Sequence, residues 1–362
     1  MARIHNFNAG PAALPLPVLE KVQSELLDFD GTGMSIMEHS HRGKAYDTVH
    51  NDAIALLKDL LGLGDDHQVL FLQGGASLQF AMLPHNFVAD GQSADYVVTG
   101  SWTKKALAEC NRIAKGRAAA DVYQDGVCNH IPKQAELKLD DEARYCHITS
   151  NNTIFGTQWH AWPDTGSVPL VADMSSDFLW RKHDFSRLAM VYAGAQKNVG
   201  PSGVCIVVAK KSFLETAKTE GVANILSYAV HADKNSLYHT PNTFGIYMVR
   251  TVLAHLQERG GLDAVEKDNR DKAGLLYDTI DADPDFFRAP VEKESRSFMN
   301  VVFRLPSEAL EKRFIAEAQE QSLGGLKGHR SVGGIRASIY NAATRASVEA
   351  LVDFMKAFRK SA

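Results

Sequence analysis

The chain has 362 residues, 45% apolar and 23% charged, enough to bury a large core in about two domains without disulfide or metal staples. Lys and Arg number 39 against 43 Asp and Glu, a formal charge of -4, so no global positive field would hold nucleic acid or an anionic membrane. The longest apolar runs, such as residues 188–195, are far too short to span a bilayer, and residues 1–15 have no apolar core of signal-peptide length.

The expectation is a cytoplasmic protein with neither nucleic-acid nor membrane partners. Cys110, Cys128, Cys146 and Cys205 form no CxxC clip and sit in or beside apolar stretches, which reads as reduced, buried thiols.

Apolar residues at Leu19, Val22, Leu26 and Phe29 have helical spacing over 15–29, and Tyr46, Val49, Ala53, Leu56 and Leu60 repeat it over 44–61. Short apolar runs follow at 69–72, 96–98, 145–148, 168–172, 188–193 and 204–208. They lack polar alternation and are separated by helix-length segments, so they read as buried strands of a mostly parallel sheet. After Pro241 a long amphipathic helix (Phe244, Met248, Val252, Leu256) stops at Gly260-Gly261. A strand near 299–305, a helix after Pro306, a glycine-rich stretch and a last helix (Val348, Leu351, Met355, Phe358) complete the chain. The expected fold is α/β: a large domain over 16–260 with a seven-stranded sheet flanked by helices, and a smaller C-terminal α/β domain over 261–362. Residues 1–15 are expected to pack against the smaller one.

Four features carry chemistry. Lys197 sits on a Gly/Pro-rich turn (Gly194, Gly200, Pro201, Gly203) between two apolar runs. A loop lysine is most often a solvated charge, but these flanks suit a sheltered amine, whose lowered pKa frees it for Schiff-base chemistry. Asp173 ends an apolar run, where open α/β sheets place ligand contacts. It could bind a ribose, a metal or a protonated pyridine nitrogen, or only cap a helix. Gln73-Gly-Gly-Ala76-Ser77 joins a strand to a helix start, a turn that gathers free N–H groups and suits phosphate. It is neither GxGxxG nor a P-loop. Finally, His39-Ser-His41-Arg42-Gly and Lys327-Gly-His329-Arg330 with Arg336 gather basic residues suited to carboxylates and phosphates. His39 and His41 lack a third ligand at useful spacing, so no metal is expected.

Together these segments resemble the phosphoserine aminotransferase family of the class V aminotransferases, pyridoxal-phosphate enzymes of fold type I. The resemblance runs nearly end to end. It rests on Phe7–Pro15, His39–Gly43, Gln73–Phe80, Ser150–Thr157, Ala172–Ser176, Tyr192–Asn198 and Gly328–Asn341.

The resemblance implies pyridoxal 5'-phosphate bound to Lys197 as a Schiff base, with Lys197 also shuttling the substrate's proton. It implies Asp173 on the pyridine nitrogen, Trp102 against the ring face and Thr153 near the ring hydroxyl. Ala76 and Ser77 would hold the phosphate through their N–H groups, with Gln196 beside them. His239 and Thr240 would reach the phosphate of a neighbouring subunit, which implies a homodimer with shared sites. Arg336 would clamp the α-carboxylate, while His41, Arg42, His329 and Arg330 would hold the distal acid or phosphate. The implied reaction is ping-pong transfer from L-glutamate to 3-phosphohydroxypyruvate through the pyridoxamine form, giving phosphoserine and 2-oxoglutarate for serine biosynthesis.

Two positions depart from the family pattern: Ser77 stands where some members carry arginine, and His239 where an asparagine is usual. Three rival readings remain. The first is a class V aminotransferase for another acidic keto acid, such as 3-hydroxy-2-oxo-4-phosphooxybutanoate of pyridoxine biosynthesis. The second, an NAD-dependent α/β enzyme, lacks its glycine fingerprint and leaves Lys197 without a role. The third, a cysteine desulfurase, lacks a cysteine after Cys205.

Overall fold

The computed structural model describes residues 3–362. Met1 and Ala2, which fall in the expected N-terminal packing segment, lie outside the described residues.

A two-residue strand β1 (His5–Asn6) leads to helix α1 (Leu16–Glu25), which buries Val18 and Val22 one turn apart. This helix stops four residues short of the expected end. Asp28, Asp30, Gly31 and Gly33 break it into a 3-10 turn over Phe29–Gly31, with Asp30 at φ 52°, and Leu27 is left 84% exposed. Helix α2 (Lys44–Leu61) ends as the pattern predicts, at Gly62 with φ 64°.

Strand and helix then alternate: β2 (His67–Leu72), α3 (Gly75–Phe87), β3 (Ser93–Val98), α4 (Ser101–Ile113), β4 (Lys115–Asp121) and β5 (Cys146–Thr149). A small hairpin of β6 (Asn151–Asn152) and β7 (Thr157–Gln158) precedes β8 (Leu170–Asp173), β9 (Met190–Gly194) and β10 (Cys205–Lys210). Helices α5 (Lys211–Leu214), α6 (Tyr228–Asp233), α7 (Thr243–Glu258) and α8 (Gly261–Asp281) follow. The chain closes with β11 (Asn300–Phe303), α9 (Glu308–Glu320), β12 (Leu323–Gly324), β13 (Ile335–Ser338) and α10 (Arg345–Ser361).

Seven strands form one sheet in the order β2-β10-β9-β8-β5-β3-β4. Only β10 is antiparallel to its neighbours. The other six strands therefore deliver their carboxyl ends to one edge of the sheet, where the loops bearing Gly74, Trp102, Thr153, Asp173 and Lys197 meet.

Both faces of the sheet are covered. One core packs Val22, Tyr46, Leu57 and Val249 of α1, α2 and α7 against it, and the other packs Leu83, Phe87 and Ala106 of α3 and α4. A separate core holds Leu276, Phe303, Phe314, Leu351 and Phe358 of the C-terminal elements, together with Phe7, which is fully buried there. Strand β1 pairs in parallel with β12, and β11 pairs antiparallel with β13 so that Val302 lies opposite Arg336.

Candidate active site

Lys197 lies on the loop between β9 and β10, and its Nζ donates a 2.8 Å hydrogen bond to Thr153 Oγ1. Burial lowers its pKa to about 8; the Asp173 carboxylate opposes this shift and the Arg336 guanidinium adds to it. An amine so placed has a far larger neutral fraction near neutral pH than a solvated lysine, and neutral is the state a nucleophile requires.

Asp173 ends β8 and is 4% exposed. Its Oδ1 accepts from the Ser175 N–H at 2.9 Å and from the Ser175 hydroxyl at 2.6 Å. Burial pushes its carboxyl above the ordinary value, against the pull of Ser175 and of the nearby Lys197 charge. Ser175 Oγ also accepts from the Gly194 N–H at 3.1 Å, tying β8 to β9. Sequence reasoning assigned Ser175 no role, although the Asp-x-Ser spacing that makes this contact was visible. Behind it Asp177, fully buried, accepts from Ser150 Oγ and from Gln158 Nε2, and burial pushes its carboxyl up to about 7.

The Trp102 ring, in the first turn of α4, has its centroid 5.5 Å from Lys197 Nζ, and its indole N–H is buried without a hydrogen-bond partner among the described residues. Arg336, on β13, donates from Nη1 to the Thr153 carbonyl at 3.3 Å, while its Nε is buried without a partner among the described residues. Thr153 thus touches both the amine and the guanidinium. Beside Arg336 opens a cavity of about 370 Å³ bounded by Cys128, Ile154, Phe155, Ser331 and Gly333.

At the start of α3, Gly74 and Gly75 adopt φ 79° and 58°, and the first helical N–H to find a carbonyl is that of Leu78, on Gly74. The N–H groups of Ala76 and Ser77 therefore have no acceptor among the described residues. A Cβ on Gly74 would come 2.5 Å from the Leu78 side chain, so the turn tolerates only glycine.

The N-terminal segment lies against the lysine, a role sequence reasoning left unassigned although the Phe7–Pro15 run was singled out. A Cβ on Gly10 would come 3.1 Å from Lys197 Cγ, the Ala12 N–H donates to the Gln196 carbonyl at 2.9 Å, and Tyr340 Oη donates to the Ala9 carbonyl at 2.7 Å.

The remaining expected residues are spread wider. His329 Nδ1 lies 2.7 Å from Ser331 Oγ, and burial together with Arg336, Arg330 and Lys105 lowers its pKa. Arg330 is exposed. His41 and Arg42 lie on the loop before α2, and His239 and Thr240 on the loop between α6 and α7. No hydrogen bond joins any of these four to Lys197, Asp173 or Thr153 within the described chain. The His239 ring instead meets that of His231 edge-on at 5.9 Å. Among the described residues, no group of three His, Cys, Asp or Glu is disposed to hold a metal ion.

Comparison with known proteins gives the chain its relatives. The model of the class V aminotransferase family matches residues 4–351. A phosphoserine aminotransferase from Desulfosudis oleivorans is 56% identical over 360 residues, covering 99% of each chain. A solved phosphoserine aminotransferase from Bacillus circulans subsp. alkalophilus is 53% identical, with a TM-score of 0.96 over 99% of each chain. The pyridoxal-phosphate-bound phosphoserine aminotransferase of Trichomonas vaginalis is 36% identical, with a TM-score of 0.93 over 98% of this chain and 100% of that one. These matches do not favour the NAD-dependent reading. The chain belongs to the class V aminotransferases, within the phosphoserine aminotransferase family.

Proposed function

We propose that the protein transfers the amino group of L-glutamate to 3-phosphohydroxypyruvate, giving O-phospho-L-serine and 2-oxoglutarate, with pyridoxal 5'-phosphate as cofactor. The observation that carries this reading is the cluster around Lys197: a partly neutral amine between Thr153 and Trp102, with a buried carboxylate on one side and a buried guanidinium on the other. The relatives' names supply phosphoserine and amino-group transfer, and the basic set around Arg336 suits a partner substrate with two acidic ends such as glutamate.

The residues present fit the cofactor. Asp173 Oδ2 accepts no hydrogen bond within the described chain, and the N–H groups of Ala76 and Ser77, the Trp102 indole and Arg336 Nε all lack acceptors. Of these, the Trp102 indole and Arg336 Nε are buried, where an unpartnered donor costs about 1–3 kcal/mol; with the free N–H groups at the start of α3 they suit an anionic, ring-bearing guest. When bound, the cofactor supplies a carbonyl that takes up the amino group and a ring that absorbs electrons released at the substrate's α-carbon.

Asp173 would hold a proton on the ring nitrogen, oriented by Ser175. Ala76 and Ser77 would receive the phosphate with Gln196 alongside, Trp102 would cover the ring, and Thr153 would sit at the ring hydroxyl. Lys197 Nζ would take the proton from the substrate's α-carbon and return it, since its pKa of about 8 suits both directions near neutral pH. Arg336 would pair with the α-carboxylate, Arg330 would add positive charge for the distal acid, and His329, whose pKa is lowered, would add a ring N–H.

We further propose a homodimer in which His41, Arg42, His239 and Thr240 complete the partner's site. Two observations support it: these residues stand apart from Lys197 in a single chain, and the segment leading to His41 exposes Leu26, Leu27, Met34 and Met37. Residues 16–260 and 261–362 would then act as large and small domains. Cytoplasmic residence fits four free, buried cysteines. No helix is long and apolar enough to cross a membrane among the described residues.

The test is the absorption spectrum of the purified protein before and after addition of L-phosphoserine without a keto acid. A visible band that moves to the near-ultraviolet is expected. A protein that stays colourless when supplied with pyridoxal phosphate would overturn the reading, and a response to glutamate alone would overturn the phosphoserine assignment.

A further inference from the structure

Residues 326–336 fold back on themselves. Lys327 bridges Ile335, the Gly328 N–H donates to the Gly334 carbonyl at 2.9 Å, and the N–H groups of Val332 and Gly333 both reach the His329 carbonyl. The tip carries His329 and Arg330, and the returning leg carries Arg336. Gly333 and Gly334 adopt φ 68° and 72°. Glycines lose much conformational freedom on ordering, so a loop of this composition needs fastening from outside.

Helix α9 provides that fastening. Glu311, only 5% exposed, accepts from the Gly334 N–H at 3.2 Å through Oε2. It also accepts from the Leu305 N–H at 3.3 Å through Oε1. Arg304 pairs with it two-pronged, Nε to Oε1 at 2.6 Å and Nη2 to Oε2 at 3.3 Å, and Nη1 donates to the Val332 carbonyl at 2.8 Å. A Cβ on Gly334 would come 2.5 Å from Arg304 Cδ, so the loop is pressed against the arginine. The same Arg304 forms part of the wall of the cavity beside Arg336.

We propose that Glu311, acting through Arg304, is a positioning residue for substrate: it fixes the 328–334 loop so that His329, Arg330 and Arg336 converge on the substrate's acidic groups. This rests on the reading that those three residues bind the substrate. The pairing also has an electrostatic consequence. Glu311 satisfies Arg304, so the guanidinium in the cavity wall does not compete with Arg336 for the incoming anion. A neutral Gln at 311 offers Arg304 an amide N–H where a carboxylate oxygen stood, and so releases both the arginine and the loop.

The experiment compares Glu311→Gln, Arg330→Ala and the double variant as holoenzymes, with L-phosphoserine and 2-oxoglutarate. For Glu311→Gln the KM for phosphoserine is expected to rise about tenfold while kcat stays within about twofold. In the Arg330→Ala background the same change should raise KM by clearly less than the factor it gives alone, because one of the three residues it positions is gone. A purely structural role would instead lower Tm and add in full to the Arg330→Ala effect, and that result overturns the proposal. If Arg330→Ala raises KM and Glu311→Gln does not, the positioning role fails while the substrate reading stands. If Arg330→Ala itself changes nothing, the substrate reading fails. Should Glu311→Gln not fold, Arg304→Lys, which drops the Val332 contact, gives the same comparison.

Discussion

Two charges act on the Lys197 amine in opposite directions. Asp173 favours the ammonium form, Arg336 disfavours it, and burial tips the balance so that the pKa falls to about 8. Only the neutral amine can attack the carbonyl of pyridoxal phosphate, so the rate at which cofactor-free protein takes it up should rise with pH and level off above about 8. Removing the carboxylate in Asp173→Asn withdraws the influence that raises the pKa, so the midpoint should move to lower pH. Removing the guanidinium in Arg336→Ala should move it to higher pH. Stopped-flow absorbance on the three proteins checks both signs, and shifts in the same direction would refute the account. Lys197→Ala should lower turnover by at least about 10³-fold, the scale of a lost proton-transfer group. Lys197, Asp173 and Arg336 were legible in the sequence because each stands at a break in an apolar run or beside glycines. Gly10 and Ala12 were not, because their contacts depend on which loops the chain brings together, and Ser175, visible in the Asp-x-Ser spacing, was given no role.

At the scale of elements, the site depends on two rigid junctions. The first is the Gly74-Gly75 turn into α3. Gly74→Ala would force a Cβ into the Leu78 side chain at a backbone angle that L-residues disfavour, and so should tilt the Ala76 and Ser77 N–H groups. The expected result is weaker pyridoxal-phosphate binding by about tenfold, the effect of one lost charged hydrogen bond of ~1.4 kcal/mol, read by titrating cofactor-free protein. The second junction is Lys272 of α8, fully buried, whose Nζ donates to the Tyr340 and Ala343 carbonyls. The loop between those carbonyls carries Asn341, whose N–H donates to Asn198, the residue after Lys197. Lys272→Met keeps the length and strands two carbonyls, so denaturant unfolding should show a loss of about 2–4 kcal/mol. Helices α1, α2, α7 and α10 were readable from periodicity, and the buried strands from their apolar runs. Strand β4 was not: Lys-Gly-Arg-Ala-Ala-Ala-Asp has neither β-branched residues nor a long apolar run, and it forms at the sheet edge because α4 delivers it beside β3. The antiparallel direction of β10 was also hidden, since an apolar run carries no sign of its orientation.

At the scale of the molecule, the resemblance names fourteen site positions, and one chain does not draw all of them together. Lys197, Asp173, Thr153, Trp102 and Arg336 converge at the carboxyl edge of the sheet, whereas His41, Arg42, His239 and Thr240 sit on loops that form no hydrogen bond with that cluster among the described residues. If the partner supplies those four, each site needs Lys197 from one subunit and Arg42 from the other. The consequence is a complementation test. Lys197→Ala destroys its own site and still offers Arg42, while Arg42→Ala spoils the neighbouring site and keeps its own lysine. Random mixing of equal amounts gives about half mixed dimers with one intact site of two, so activity should recover to about a quarter of the unaltered enzyme. The assay is run at phosphoserine concentrations too low to saturate the Arg42→Ala protein, after a dissociation and reassociation step. If Arg42 served the site of its own chain, a mixed dimer would hold no intact site, and mixing would give only the average of the two separate activities.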